Sequence, residues 1–102
     1  MPETDTRPTW TFLSNHGHLL LALARDPEAR LRDAAQAIGI TERAAQSIVS
    51  DLEAEGYLTR QRVGRRNRYT INQDGPFRHP AERDHSIGEL IAIFTTPQES
   101  HQ

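Results

Sequence analysis

Five arginines, Arg60, Arg62, Arg65, Arg66 and Arg68, fall within nine residues with no acid among them. Guanidinium groups bind phosphate oxygens bidentately, and a single-sign cluster of this density suits a polyanion better than an idle solvated face, which mixes signs. A second set, Arg43, Gln46, Ser47 and Ser50, lies within about a third of a turn on one helix face at 100° per residue. Arg pairs with guanine, Gln with adenine, and Ser with bases or phosphates, so this set suits the edges of base pairs. The histidines are less informative. His16 and His18 diverge on a helix, and His79 and His85, with Glu82, Asp84 and Asp74 nearby, would suit a metal only at an interface between chains. The expectation is no metal, no cofactor and no catalysis, because no nucleophile and base, phosphate-cradling glycine loop or carboxylate pair has a defensible spacing.

The elements that carry these residues follow from periodicity. The stretch 1–9 holds two prolines and no apolar period and is expected to be a flexible arm. A first helix is expected over Ser14 to Arg25, with Leu19, Leu20 and Leu23 inward, capped by Ser14 or Asn15 and ended by Asp26-Pro27. A short strand-like piece, Glu28 to Leu31, leads to a second helix from Arg32 to Ile38, closed by Gly39. Thr41 then caps a third helix with Glu42 in its positive first turn and an inward stripe of Ala45, Ile48, Val49 and Leu52, stopped by Gly56.

Beyond Gly56 the period changes to two, as in a β-hairpin running from Tyr57 to Val63 and from Arg68 to Asn72 around Gly64-Arg65-Arg66-Asn67. Leu58 and Val63 cannot both face inward by strict alternation, so a bulge or an early end to the first strand is expected. Gln73 to His79 reads as a connection. A last helix is expected over Pro80 to Phe94, with Ser86-x-x-Glu89 as a second start, and it carries Ile87, Leu90, Ile91 and Phe94 at i, i+3, i+4, i+7. A disordered tail is expected after it.

The order helix, helix, tight turn, helix, hairpin is that of a winged helix-turn-helix. Over Leu31 to Asn72 the chain resembles the DNA-binding unit of MarR-like and ArsR-like prokaryotic transcription regulators. The resemblance is carried by Gly39-Ile40-Thr41-Glu42-Arg43-Ala44-Ala45-Gln46-Ser47-Ile48-Val49, by the ending Leu52-Glu53-x-x-Gly56-Tyr57-Leu58-x-Arg60, and by the wing Val63-Gly64-Arg65-Arg66-Asn67-Arg68-Tyr69. The chain is short for a MarR protein, with one helix before the reading unit and one after, a size nearer the ArsR-like proteins. The resemblance implies a mainly α (α+β) fold: a three-helix core, a two-stranded wing and an additional C-terminal helix. It further implies that Ala44, Gln46 and Ser47 lie against DNA and that the tip Arg65, Arg66, Asn67 tracks the minor groove or its phosphates. Arg62 and Arg68 flank the tip as phosphate contacts, and Thr41 touches phosphate besides capping its helix. Arg60 either joins them or pairs with an acid at the end of the third helix.

The apolar stripe of the last helix could pack on its own domain, but the resemblance favours a dimer in which Trp10, Phe12, Ile87, Leu90, Ile91 and Phe94 form the interface. The expected organisation is therefore an arm over 1–9, a winged-helix domain over 10–75, a dimerisation helix over 76–95 and a tail over 96–102. The reading is a homodimeric repressor on a palindromic double-stranded operator, with no dedicated effector domain. The rival is a protein-interaction module whose arginine hairpin docks an acidic partner. RNA binding is weaker, because the hairpin offers only Tyr57 and Tyr69 for stacking.

Composition bounds these readings. A chain of 102 residues with 35% hydrophobic content supports one small core. With no cysteine there is no disulfide or thiolate site. The longest apolar run, Leu19 to Ala24, is too short for a membrane span, and no signal peptide opens the chain, so a cytoplasmic, nucleoid-associated protein is expected. The formal charge of −2 argues against nucleic acid until it is resolved along the chain: −4 over 1–59, +5 over 60–78 and −3 over 79–102. Positive charge is confined to the hairpin. All twelve basic residues are arginine, a bias better read as that of the source genome than as selection for forked donors.

Overall fold

The computed structural model describes residues 9–95, which leaves most of the expected arm and the expected 96–102 tail outside the described residues. The elements run α1 (Asn15–Arg25), α2 (Leu31–Ile38), α3 (Glu42–Ala54), β1 (Leu58–Val63), β2 (Arg66–Ile71) and α4 (Ile87–Thr95). This is the mainly α winged helix-turn-helix expected from the sequence, with a three-helix core, a two-stranded wing and a further C-terminal helix.

Each helix of the core starts or stops where its sequence supplies a partner for orphan backbone groups. Ser14 caps α1, its hydroxyl accepting from the Gly17 N–H at 3.3 Å, and Thr41 caps α3 by accepting from the Ala44 N–H at 3.0 Å. The end of α3 is a Schellman turn. Gly56 takes φ 81°, the Gly56 N–H donates to Glu53 O and the Tyr57 N–H donates to Leu52 O. That left-handed position favours glycine, and the accompanying burial of Leu52 and Tyr57 locks the exit of α3 into the first wing strand. Leu19, Leu23, Val49 and Leu58 are the largest fully buried side chains. They mark the centre of the core, where α1 meets α2, α3, the wing and α4.

The wing is an antiparallel hairpin in continuous register from Leu58↔Ile71 to Val63↔Arg66, closed by the two-residue turn Gly64-Arg65 with Gly64 at φ 63°. Neither the bulge nor the early strand end occurs. β1 pairs through to Val63, and the conflict of alternation is resolved by leaving Val63 about half exposed, because the wing projects beyond the core and has no inner face there. The Glu28 to Leu31 piece is not a strand. It is a loop whose neighbour Pro27 offers one carbonyl to the edge of β2, accepting from the Tyr69 N–H at 2.9 Å, while Leu31 already opens α2.

The last helix begins at Ile87, not at Pro80. An isolated bridge between Pro76 and Ser86 folds the connection back on itself, and the Ile87 N–H donates to Gly75 O and the Gly88 N–H to Gln73 O. Residues 80–84 are thereby held in turns. The second start signal is the one used: Glu89 Oε2 accepts from the Ser86 N–H at 3.2 Å, as in a capping box. No helix among the described residues is long and apolar enough to cross a membrane.

Candidate nucleic-acid interface

The buried stripe of α3, Ala45, Ile48, Val49 and Leu52, turns the opposite face outward. Arg43, Ala44, Gln46, Ser47 and Ser50 are all exposed. The face divides according to what lies beside it. Glu42, Gln46 and Ser50, one every four residues and so on one ridge, line a groove of about 520 Å³ together with Arg60, Arg65, Arg66, Asn67 and Tyr69 of the wing and the loop Glu28 to Leu31. Arg43, Ala44 and Ser47 stand on the outer side of α3, outside that groove. Thr41 is exposed with its hydroxyl engaged in the cap.

The wing arginines are not equivalent. The Arg60 guanidinium donates to Glu53 Oε1 at 2.9 Å, the pairing that the sequence left open. Arg62 Nε donates to the Gly64 carbonyl at 3.3 Å. Arg66 Nη1 reaches the Glu28 carbonyl at 3.5 Å, and Arg68 Nε lies 3.7 Å from Glu28 Oε2. The Arg65 side chain, at the tip, makes no hydrogen bond or ion pair with another described residue, and the same holds for the Arg43 side chain on α3. Among the arginines of the wing and α3, these two are therefore the most available to an incoming anion. All these arginine side chains are exposed. Ion pairs at such positions are weak enough to be exchanged for a phosphate.

Two carboxylates of this groove escaped the sequence reading as parts of the site. Glu28 lies in the loop between α1 and α2, 38 and 40 residues before the Arg66 and Arg68 that it meets, and reaches the wing only through tertiary packing, so no local signal marks it. Glu42 is visible in the sequence as a first-turn acid, but its place on the wing-facing ridge depends on how α3 packs.

Apart from Val63 on the wing, the exposed large apolar side chains of the described residues lie elsewhere. Trp10 and Phe12 meet edge to face with ring centroids 5.3 Å apart, and Ile93 and Phe94 are exposed on α4. Ile87 and Ile91, however, are buried in the chain's own core against α1. Of the expected interface stripe, only Leu90 and Phe94 on α4 and the Trp10 and Phe12 pair retain surface to offer a partner. The histidines pair singly: His16 with Asp51 at 2.8 Å, His79 with Glu82 and His85 with Glu89. No group of three or more potential metal ligands gathers among the described residues.

No curated protein gives a significant match to this chain. A family model described as the MarR family matches residues 11–68, more than half of the chain. The matched stretch runs through all three core helices and ends inside the second wing strand, so it contains both the exposed ridge of α3 and the arginine tip. The chain belongs to the MarR family, whose members are DNA-binding transcriptional regulators and not enzymes.

Proposed function

We propose that this regulator is a homodimer that reads a palindromic double-stranded operator, with α3 in the major groove and the wing on the adjacent minor groove or its phosphates, and that it acts as a repressor. The observation that supports this best is the pairing of two chemistries across one groove: Gln46 and Ser50 on the helix side, Arg65, Arg66 and Asn67 on the wing side. Side chains of the first kind read base edges, and those of the second neutralise phosphates. Thr41, Arg43, Ala44 and Ser47 on the outer side of α3, and Arg62 and Arg68 on the wing, complete the contact surface. Arg65 suits a narrow minor groove, where the negative potential is enhanced.

The dimer in this reading joins Trp10, Phe12, Leu90 and Phe94 to their symmetry mates, extended by the exposed Ile93. Residues 76–95 then act as the dimerisation segment beside the winged-helix domain of 10–75. The protein works in the prokaryotic cytoplasm, on the nucleoid.

In-vitro selection of duplex oligonucleotides followed by footprinting tests the proposal. A palindromic consensus with half-sites about one helical turn, roughly 10 base pairs, apart is the expected result. Duplex affinity no higher than that of an unrelated neutral protein at low salt would overturn it, in favour of the arginine hairpin docking an acidic protein partner. Repression is checked by in-vitro transcription from a promoter carrying the selected site, where added protein lowers transcript yield.

A further inference from the structure

Glu42 stands on the groove-facing ridge of α3 one helical turn before Gln46. Its carboxylate forms no hydrogen bond or ion pair with another described residue. Of the cations lining the same groove, Arg60 is engaged by Glu53 and Arg66 by the Glu28 carbonyl, while Arg30 and Arg65 line it without pairing with Glu42. The positive end of α3 accounts for an acid in this turn. It does not account for an unpaired carboxylate on the helix ridge of a groove lined by Arg30, Arg60, Arg65 and Arg66, where repulsion from phosphates opposes its presence.

We infer that Glu42 is a specificity-determining residue that selects cytosine in each half-site, next to the base read by Gln46; this rests on the duplex reading proposed above. In the major groove, guanine and thymine present acceptors that repel a carboxylate. Adenine presents a donor beside the N7 acceptor, while cytosine presents its N4 amino group with no acceptor beside it. A carboxylate is therefore satisfied best by cytosine, and Gln46 best by adenine. The four-residue spacing separates the two by about 6 Å along the helix, which confines the two bases to neighbouring positions of one half-site. Discrimination comes from the penalty for the wrong base, because every other pair leaves the carboxylate desolvated or facing an acceptor.

The test compares the full chain with Glu42→Gln and Glu42→Asp by duplex selection, by affinity for the selected site and for a scrambled duplex, and by thermal melting. Cytosine at one position per half-site is expected for the wild type. Glu42→Gln should lose about tenfold in preference for that cytosine and move toward adenine, while binding the scrambled duplex more tightly because a negative charge has left the groove. Glu42→Asp keeps the charge at the helix terminus but shortens the reach, and should lose the cytosine preference with little change in melting temperature. Opposite changes on the two duplexes cannot arise from a purely structural acid. An unchanged consensus in both variants overturns the inference and leaves the duplex reading intact. A wild type that selects no consensus overturns both.

Discussion

The Arg60 guanidinium is anchored 2.9 Å from Glu53 Oε1, tying the first wing strand to the last turn of α3. Both side chains are about a third exposed, at 35% and 37%, so solvent screens the pair and its contribution is modest. A double-mutant cycle of Arg60→Ala and Glu53→Ala by chemical denaturation should give a coupling in the lower part of the roughly 0.2–1 kcal/mol range of exposed pairs. The functional consequence is larger than the energetic one. Arg60 is already compensated, so Arg60→Ala should change the salt dependence of DNA binding less than Arg65→Ala does. Equal changes would show that the pair opens on binding.

At the wing tip the prediction concerns all duplexes alike. Each phosphate neutralised contributes about −0.9 to the slope of log affinity against log salt. Replacing Arg65 and Arg66 together by Ala should flatten that slope by about two for each wing, and so by about four for a dimer on both half-sites, and weaken cognate and scrambled duplexes nearly equally. Arg43→Ala or Gln46→Ala should instead alter sequence preference, at about 1–3 kcal/mol for each base no longer read. Filter binding across a salt series, on one selected and one scrambled duplex, separates the two behaviours. An unchanged slope in the double variant would remove the tip from the DNA interface.

Elements with local start and stop signals were legible in the sequence. Thr41, the stripe from Ala45 to Leu52, and Gly56 define α3 without reference to the rest of the chain, and the change of period at Tyr57 defines the wing. What was not legible depends on contacts distant in sequence. Pro80 suits a first helical turn, yet the Pro76↔Ser86 bridge holds the following residues in turns and delays α4 to Ile87. The apolar period of α4 showed a buried face but not whose core it entered, and Ile87 and Ile91 face α1 of the same chain. On α3, periodicity separated the exposed face from the core but could not say which part looks toward the wing. Gln46 and Ser50 share the groove, while Arg43 and Ser47 stand on the outer ridge.

The connection that sets α4 leaves no room at Gly75. A Cβ there would come within 2.8 Å of Tyr57 Cδ1 and 2.9 Å of Cε1. That ring cannot easily retreat, since it is buried and its hydroxyl donates to the Pro76 carbonyl. Gly75→Ala should therefore destabilise the fold by about 1–3 kcal/mol, the usual cost of overpacking, measured by urea denaturation. A neutral effect would mean that the 73–88 connection can shift without disturbing the core.

Self-association should depend on the apolar side chains the fold leaves outside. Phe94 retains 44% of its surface and lines a shallow groove with Phe12, Leu21 and Ala22. Phe94→Asp places a charge in that patch and is expected to shift sedimentation from dimer toward monomer and to weaken binding to a two-half-site operator more than to a single half-site. Its melting should change little once monomer and dimer are accounted for, because the core contacts of α4 come from Ile87 and Ile91. A variant that sediments as the wild type does would place the dimer contact on another face.

The start of α4 should respond to pH through His85 and Glu89. Their side chains lie 2.8 Å apart, and this hydrogen bond, with the attraction of the Glu89 charge, raises the His85 pKa above its ordinary 6.5. The same bond, together with the Ser86 N–H, lowers Glu89 below its ordinary 4.5. A raised histidine contributes stability that is fully present below about 6.5 and is lost as pH rises through its folded value. A lowered carboxylate contributes stability that is present above about 4.5 and is lost as pH falls through its folded value. The capping arrangement is thus strongest between those two values, and raising the pH above that window releases His85 first while the Ser86 N–H contact persists. Proton NMR titration should place the His85 midpoint above 6.5, and Glu89→Gln should return it toward that value. A wild-type midpoint that the substitution does not move would show that Glu89 leaves the histidine in solution, and that only the Ser86 contact caps the helix.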